Sequence, residues 1–461
     1  MARGRWLGIG FLAAGLALLA LAAAPWLPSL AQDNRVHYHG LALRTHAFTW
    51  WNLADAAGAP NCAGAPYITY RRDLVNTTIA DHWYVALQVR ADAAMVALGE
   101  DRFRCNVEKT FAWMERLWSP AHAGYAPRAD LDGANPTLQD VYADDNAVIG
   151  LAFLEVARLT RDPALRVQAL GAADRAARYP IVAGLWDGEL GGGLWWTNQR
   201  DGLGEGKPAQ STALLAHVMA ELYAETANPA YRQHAVDSLS WLDRVLWSDV
   251  HELYAYGVRR SRTDPSQSVV TQRYFGYDQA IVMQALLTLH RVEPDNPAYL
   301  ARAQQLARST DRSFWQQELG GYTLEADVPD LYAPYSAWIS DAFLDLYAAD
   351  GDRHWLERAR ANFDALDQHF QQNRSGGYAH RVFPCRDQMM VHCFPGERWG
   401  IDHNIFSMSQ AMMQRVAARL AAASVSVTPS TCKEATSCAR SESPLATSPR
   451  PRPSMTRRRP S

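Results

Sequence analysis

Between residues 79 and 422 the chain repeats one layout six times, and this repetition limits the fold more than any other feature. A unit opens on a polar helix start, continues through an apolar-periodic helix, turns into a second helix, and ends in a short segment pairing glycine with an aromatic. The first unit has expected helices over 79–97 and 102–118 and the turn Ala123-Gly124-Tyr125. The second starts at Asp144-Asp145, passes Asp162-Pro163 and ends in Gly191-Gly192-Gly193-Leu194-Trp195-Trp196. The third starts at Gln210-Ser211-Thr212, the fourth at Tyr277-Asp278-Gln279, the fifth near Tyr335 and the sixth at Asp402-His403-Asn404. The prolines at 163, 229 and 297 stand just inside second-helix starts, where a missing N–H costs nothing. Long alternating strands are lacking, which excludes a β-rich domain.

Tandem helix pairs stack into a solenoid or close into a ring. Six units at a period of roughly 60 residues predict an all-α, six-hairpin (α/α)6 toroid with the first helix of each pair inside. The inner-helix starts then converge: His82 and Trp83, Asp144 and Asp145, Gln210 and Ser211, Asp278 and Gln279, Tyr335 and Trp338, Asp402 and His403. No second helix follows the sixth start. Either the segment before Tyr70 supplies the missing outer helix or the ring stays incomplete there.

The ends of the 461-residue chain differ from its middle. Arg3 and Arg5 precede an apolar run over 6–27, and Ser29-Leu30-Ala31 offers a cleavage site before Gln32. This reads as an export signal over 1–31, and the same run is long enough to anchor the chain in a membrane. The toroid is expected over 32–423, and a disordered Ser/Pro/Arg-rich tail over 424–461. Export places the six cysteines in an oxidising compartment. Cys385 with Cys393 is the first candidate disulfide and Cys62 with Cys105 the second. A zinc set of Cys385, His392, Cys393 and His403 has no standard spacing. The net charge of -3 gives no basic footprint for nucleic acid. Sixteen Trp and nineteen Tyr suit both a core and a cleft that stacks on sugar rings.

The Asp144-Asp145 pair carries the chemistry. Asp is a favoured N-cap and suits the positive end of a helix dipole, which is the plainest role for the pair. In a funnel lined by aromatics the same pair fits glycoside hydrolysis, which needs two carboxyl groups at the scissile bond. Adjacent carboxylates repel, so one becomes an acid while the other stays ionised.

Tyr142-Ala143-Asp144-Asp145-Asn146-Ala147, followed by Gly191-Gly192-Gly193-Leu194-Trp195-Trp196, resembles glycoside hydrolase family 76, the endo-α-1,6-mannanases. Gln210-Ser211-Thr212-Ala213 and Tyr277-Asp278-Gln279-Ala280 stand where that family has its next polar helix starts. The resemblance implies an (α/α)6 barrel and hydrolysis with retention. It implies Asp144 as nucleophile and Asp145 as general acid/base, with no metal or organic cofactor. Tyr142, Asn146, Trp195, Trp196, Gln210 and Asp278 become the expected substrate-binding residues. The implied partner is an α-mannan polysaccharide, and the protein is expected to be a secreted or envelope-bound monomer. Val148 and Ile149 depart from the aromatics the family carries after its Asp pair, which bears on subsites and polymer preference. Two other functions fit a chain of this layout: a sugar isomerase of the N-acylglucosamine 2-epimerase type, working through inner-ring histidines, and a non-catalytic glycan-binding protein.

Overall fold

A computed structural model of the chain describes residues 27–53, 70–72, 75–200, 204, 206–371, 376–385, 393, 397–402 and 404–424. Among them are twelve α-helices in six pairs. The inner helices are α2 (His82–Ala97), α4 (Ala143–Leu159), α6 (Ala209–Thr226), α8 (Gly276–Val292), α10 (Ala333–Asp350) and α12 (Ser407–Ala423). The outer helices are α1 (Leu27–Leu53), α3 (Arg104–Met114), α5 (Pro163–Val182), α7 (Pro229–Val245), α9 (Pro297–Phe314) and α11 (Arg353–Phe370). Each inner helix packs on the next, and α12 packs back on α2, so the ring closes as the (α/α)6 toroid expected from the repeat.

The missing outer helix is α1, which packs on α12. Tyr38 inserts edge-on against Phe363 of α11 at 5.7 Å, and its hydroxyl donates to Asp364 at 3.0 Å. Leu41, Ala42, Thr45, Thr49 and Leu53 complete its buried stripe. This helix begins inside the stretch expected to be an export signal. Among the described residues no helix is long and apolar enough to cross a membrane. The apolar run before Leu27, the tail beyond Ser424, Cys62, His392 and His403 all lie outside the described residues.

The two rings differ because their burial differs. Inner helices are buried almost all round, as Val85 to Val96 of α2 show, whereas outer helices hide one stripe. On α5 that stripe is alanine: Ala169, Ala172, Ala173, Ala176 and Ala177 are all buried, which lets α4 approach closely. A Cβ on Gly150 of α4 would stand 2.9 Å from Val218 of α6. Outer helices are capped locally: Asp162, Asn228, Asn296 and Asp352 accept from the N–H two residues on, at 2.8 to 3.2 Å. Inner helices have no side-chain cap at their N-cap residue.

Three of the turn segments that follow the outer helices are two-strand hairpins, and those at Leu194 and Tyr378 make single bridges. Tyr125, Tyr254 and Tyr322 pair across them with Trp118, Trp247 and Trp315. The rings meet at 5.0, 5.1 and 5.0 Å, with Arg175, Arg302 and Arg358 over the indoles. The tyrosine hydroxyls donate to Glu115, just past the end of α3, and to Asp243 of α7 and Asp311 of α9. The fourth residue of the next inner helix then clamps the hairpin backbone. Asn146, Gln279 and Gln410 accept from the amides of Tyr125, Tyr254 and Tyr378 at 2.8, 2.9 and 2.8 Å. Thr212 does the same for Leu194 at 3.1 Å.

Where the inner helices end, a cavity of about 1050 Å³ is lined by Arg90, Glu155, Arg158, Glu221, Arg415 and Arg419, among others. Its charges are paired. Asp341, fully buried, accepts from Arg415 at 3.0 Å and Arg419 at 2.5 Å, and Arg415 also reaches Glu155 at 3.1 Å. Six helix C-termini bring partial negative charge here, which these arginines offset.

Candidate active site

The opposite end of the barrel collects the inner-helix N-termini. With the fourth residue of a helix turned to its hairpin, the second and third are free to face the axis. These are Trp83 and Tyr84, Asp144 and Asp145, Gln210 and Ser211, Tyr277 and Asp278, Pro334 and Tyr335, Met408 and Ser409. Six positive helix ends suit the carboxylates gathered among them.

The two adjacent aspartates occupy unlike surroundings. Asp144 is 4% exposed. Its Oδ2 accepts from Trp196 Nε1 at 2.9 Å and from Gln210 Nε2 at 2.8 Å, and its Oδ1 accepts from the backbone N–H of Asp145 at 3.0 Å. Burial pushes the Asp144 carboxyl above the ordinary carboxylate range, while these donors pull it back down. The Asp145 side chain is partly buried and makes no hydrogen bond among the described residues. Burial, then the charges of Asp144 and Asp81, push it well up, and the Arg128 guanidinium alone pulls it down. Arg128 Nε pairs with Asp81 Oδ2 at 3.2 Å across the short sheet of Ile79–Asp81 with Arg128–Asp130. Of the two neighbours, Asp145 is therefore the one disposed to keep a proton.

Aromatic side chains wall this end. Tyr142 and Trp196 meet at 5.1 Å between centroids, Tyr277 and Tyr335 at 4.7 Å, Tyr332 and Tyr335 at 6.1 Å, and Trp83 and Trp338 at 5.9 Å. The Tyr84 hydroxyl is pushed up by burial and by the charges of Asp81, Tyr335 and Asp145, which places it in the same space.

The expected site residues divide. Asp144, Trp196 and Gln210 are directly bonded together, with the Tyr142 ring tilted against Trp196 alongside. Asp278 is fully buried, and its carboxyl oxygens have no hydrogen-bond partner among the described residues. Burial pushes it well up, and the Asp144 charge adds to this. Trp195 does not face the axis: it is 1% exposed, and its Nε1 donates to Asp187 at 2.6 Å beneath the glycine turn. Asn146 is also turned away, its amide committed to Tyr125 and to the Tyr142 carbonyl at 2.8 Å. His82 is buried against Ala126 O at 3.0 Å, and burial lowers it to about 4. Asp402 ends the strand Trp399–Asp402 rather than opening a helix. Val148 and Ile149 are fully buried in the barrel wall.

Sequence reasoning missed Asp81, Arg128, Tyr84 and the contact from Tyr277 to Gln210. Tyr84 and Tyr277 could have been found by counting to the second and third helical residues. The pairing of Asp81 with Arg128 needs a strand register that two three-residue strands do not announce.

Glycine explains how Trp196 gets here. Gly191, Gly192 and Gly193 have φ of 80°, 105° and 76°, all left-handed, and a Cβ on Gly193 would lie 2.4 Å from the Trp241 ring. The fully buried Lys207 ties the turn down, donating to Asp187 at 2.6 Å and to the Glu189 and Gly192 carbonyls at 2.7 and 3.0 Å. Cys385 and Cys393 form a disulfide, which removes two thiolates from the zinc set, and among the described residues no group of three or more His, Cys, Asp and Glu is placed to hold a metal. Cys105 is also disulfide-bonded.

Comparison with known proteins agrees with this arrangement. Residues 121–330 match the family model described as Glycosyl hydrolase family 76. A family 76 α-mannanase of Bacteroides thetaiotaomicron has a similar structure, with TM-score 0.64 and 15% identity over 83% of this chain and 95% of that one. An inactive variant of an α-1,6-mannanase of Salegentibacter sp., with two aspartates replaced by alanine and bound to α-1,6-mannotetrose, gives TM-score 0.61 and 15% identity over 84% and 99%. A D-mannose isomerase gives TM-score 0.61 and 13% identity over 83% and 97%, so the fold by itself spans more than one sugar chemistry. No curated protein matches the chain in sequence. Residues 121–330, which carry the aspartate pair and the Trp196 turn, thus match glycosyl hydrolase family 76, and they do so on a closed six-hairpin toroid.

Proposed function

We propose that the protein is an exported hydrolase that cleaves α-1,6-mannosidic linkages in mannan with retention of configuration. The observation that carries this is the asymmetry of the pair: three donors on Asp144 and none on the Asp145 side chain. Asp145, kept protonated, donates to the glycosidic oxygen as the bond breaks. Asp144, kept ionised, attacks the anomeric carbon and forms a mannosyl ester. Asp145 then takes a proton from the water that hydrolyses the ester, returning both groups to their starting states. Tyr142 and Trp196 supply an apolar wall for a sugar ring, and Asp278 an acceptor for its hydroxyls.

Support for mannan comes from the neighbours, one of which is an α-1,6-mannanase seen with an α-1,6-linked tetrasaccharide. Support for export comes from the Cys385–Cys393 disulfide, chemistry suited to an oxidising compartment. The test is incubation of the protein with linear α-1,6-mannan and separation of the products by size. Wild type releases short oligosaccharides and Asp145→Asn does not. Binding without release would make the protein a glycan-binding module, and conversion of free mannose to fructose would make it an isomerase.

A further inference from the structure

The way Asp144 is held assigns roles to its individual atoms. Each carboxylate oxygen offers two lone pairs. On Oδ2 both are occupied, by Trp196 Nε1 at 2.9 Å and Gln210 Nε2 at 2.8 Å; on Oδ1, among the described residues, one is occupied, by the Asp145 amide at 3.0 Å. An ionised Asp144 only accepts, so Gln210 must turn its NH2 toward it. The Gln210 Oε1 then faces the Tyr277 hydroxyl, which must donate. Tyr277 is in turn fixed by its ring against Tyr335 at 4.7 Å. The donor and acceptor roles are thus set in turn from the carboxylate through Gln210 to the Tyr277 hydroxyl.

We propose that Tyr277 and Gln210 form a positioning relay for the nucleophile, locking Asp144 Oδ2 so that Oδ1 is the oxygen that attacks the anomeric carbon. This rests on the hydrolase reading above. Gln210 was expected to bind substrate; its amide is instead engaged on both sides by protein. The relay also selects the rotamer of Asp144, because Trp196 and Gln210 approach the same oxygen from different segments, 52 and 66 residues along the chain.

The test compares wild type with Gln210→Leu and Tyr277→Phe on α-1,6-mannan. Tyr277→Phe keeps the ring against Tyr335 and removes only the hydroxyl, so it remains informative if Gln210→Leu folds poorly. A hydrogen bond to a charged group contributes enough that Gln210→Leu is expected to lower kcat roughly 10- to 100-fold. KM stays close to wild type, and the acidic limb of the kcat/KM profile moves to higher pH. Tyr277→Phe moves both quantities the same way by less. A raised KM with unchanged kcat and an unmoved acidic limb would overturn the relay and make Gln210 a sugar ligand. Titration of the aspartate pair by 13C-carboxyl NMR separates the two readings. If wild type does not cut mannan but both variants still shift the Asp144 titration upward, the relay stands and the substrate assignment falls. If neither variant shifts that titration, the relay falls.

Discussion

The indole N–H of Trp196 donates to Asp144 Oδ2 at 2.9 Å, joining the glycine turn after α5 to the first turn of α4. A tryptophan on one unit's turn thus reaches a carboxylate on that unit's own inner helix. Trp196→Phe keeps an aromatic face toward Tyr142 but removes the donor. With one fewer donor favouring the ionised form, kcat on α-1,6-mannan is expected to fall roughly 10- to 100-fold, and the acidic limb to move up. Unchanged kinetics would show that the contact does no catalytic work.

Activity should be bell-shaped in pH, with both limbs belonging to the aspartate pair as a unit. The active form has Asp144 ionised and Asp145 protonated. Both are displaced upward by burial, so the window lies above the ordinary carboxylate value of about 3.9. Arg128 pulls Asp145 down. Arg128→Met therefore raises the Asp145 titration, and the basic limb moves to higher pH. A basic limb that stays or moves down in a kcat/KM profile would contradict the assignment of Asp145 as the acid.

The charge network at the far end governs stability. Asp341 is fully buried between Arg415 and Arg419, so Asp341→Leu leaves cations without their central partner. The expected loss is about 3–5 kcal/mol, read from chemical denaturation. Glu221 gives the pH dependence: burial opposes its ionisation, yet Arg158 and Arg291 hold it down to about 2. A depressed folded value means the stability is complete above the unfolded value of about 4.3 and is lost as pH falls toward 2. Thermal midpoints measured downward from neutral pH should fall over that interval, and Glu221→Gln should flatten the fall.

Gly193 tests the turn. A Cβ there would sit 2.4 Å from Trp241 at a φ of 76°. Gly193→Ala is expected to cost at least about 2 kcal/mol and to displace Trp196, lowering kcat more than Trp196→Phe does. A variant with wild-type melting and rate would refute the tight turn.

The closing helix α1 is part of the barrel. Leu41 is 1% exposed, and Leu41→Ala is expected to cost about 2–5 kcal/mol. Removal of residues before Gln32 should leave the melt unchanged, whereas removal through Leu53 should abolish cooperative unfolding.

Much was legible without coordinates. Helix pairs, their proline starts and the hairpin turns follow from periodicity and local hydrogen bonding within a few residues, so the expected start of the fourth unit at Tyr277 falls within a residue of the start of α8. Asp144-Asp145 stood out because two carboxylates at the start of an apolar helix are unusual locally. His82 and Gln279 were misplaced toward the axis because a helix start has several faces. Only packing against the hairpins showed that the fourth residue clamps outward and the second and third turn in.

The chain by itself determined six helical units, their order, and the position of the acid pair at the head of the second, because these depend on neighbours a turn or two away. Tertiary structure decided the rest. It decided that α1 closes the ring, that Trp195 is core while Trp196 reaches the site, and that Asp144 and Asp145 differ. The physical reason is that a carboxyl group's charge state is set by whatever donors, charges and water surround it. For Asp144 the side-chain donors come from residues 52 and 66 positions away, brought together only when the toroid closes.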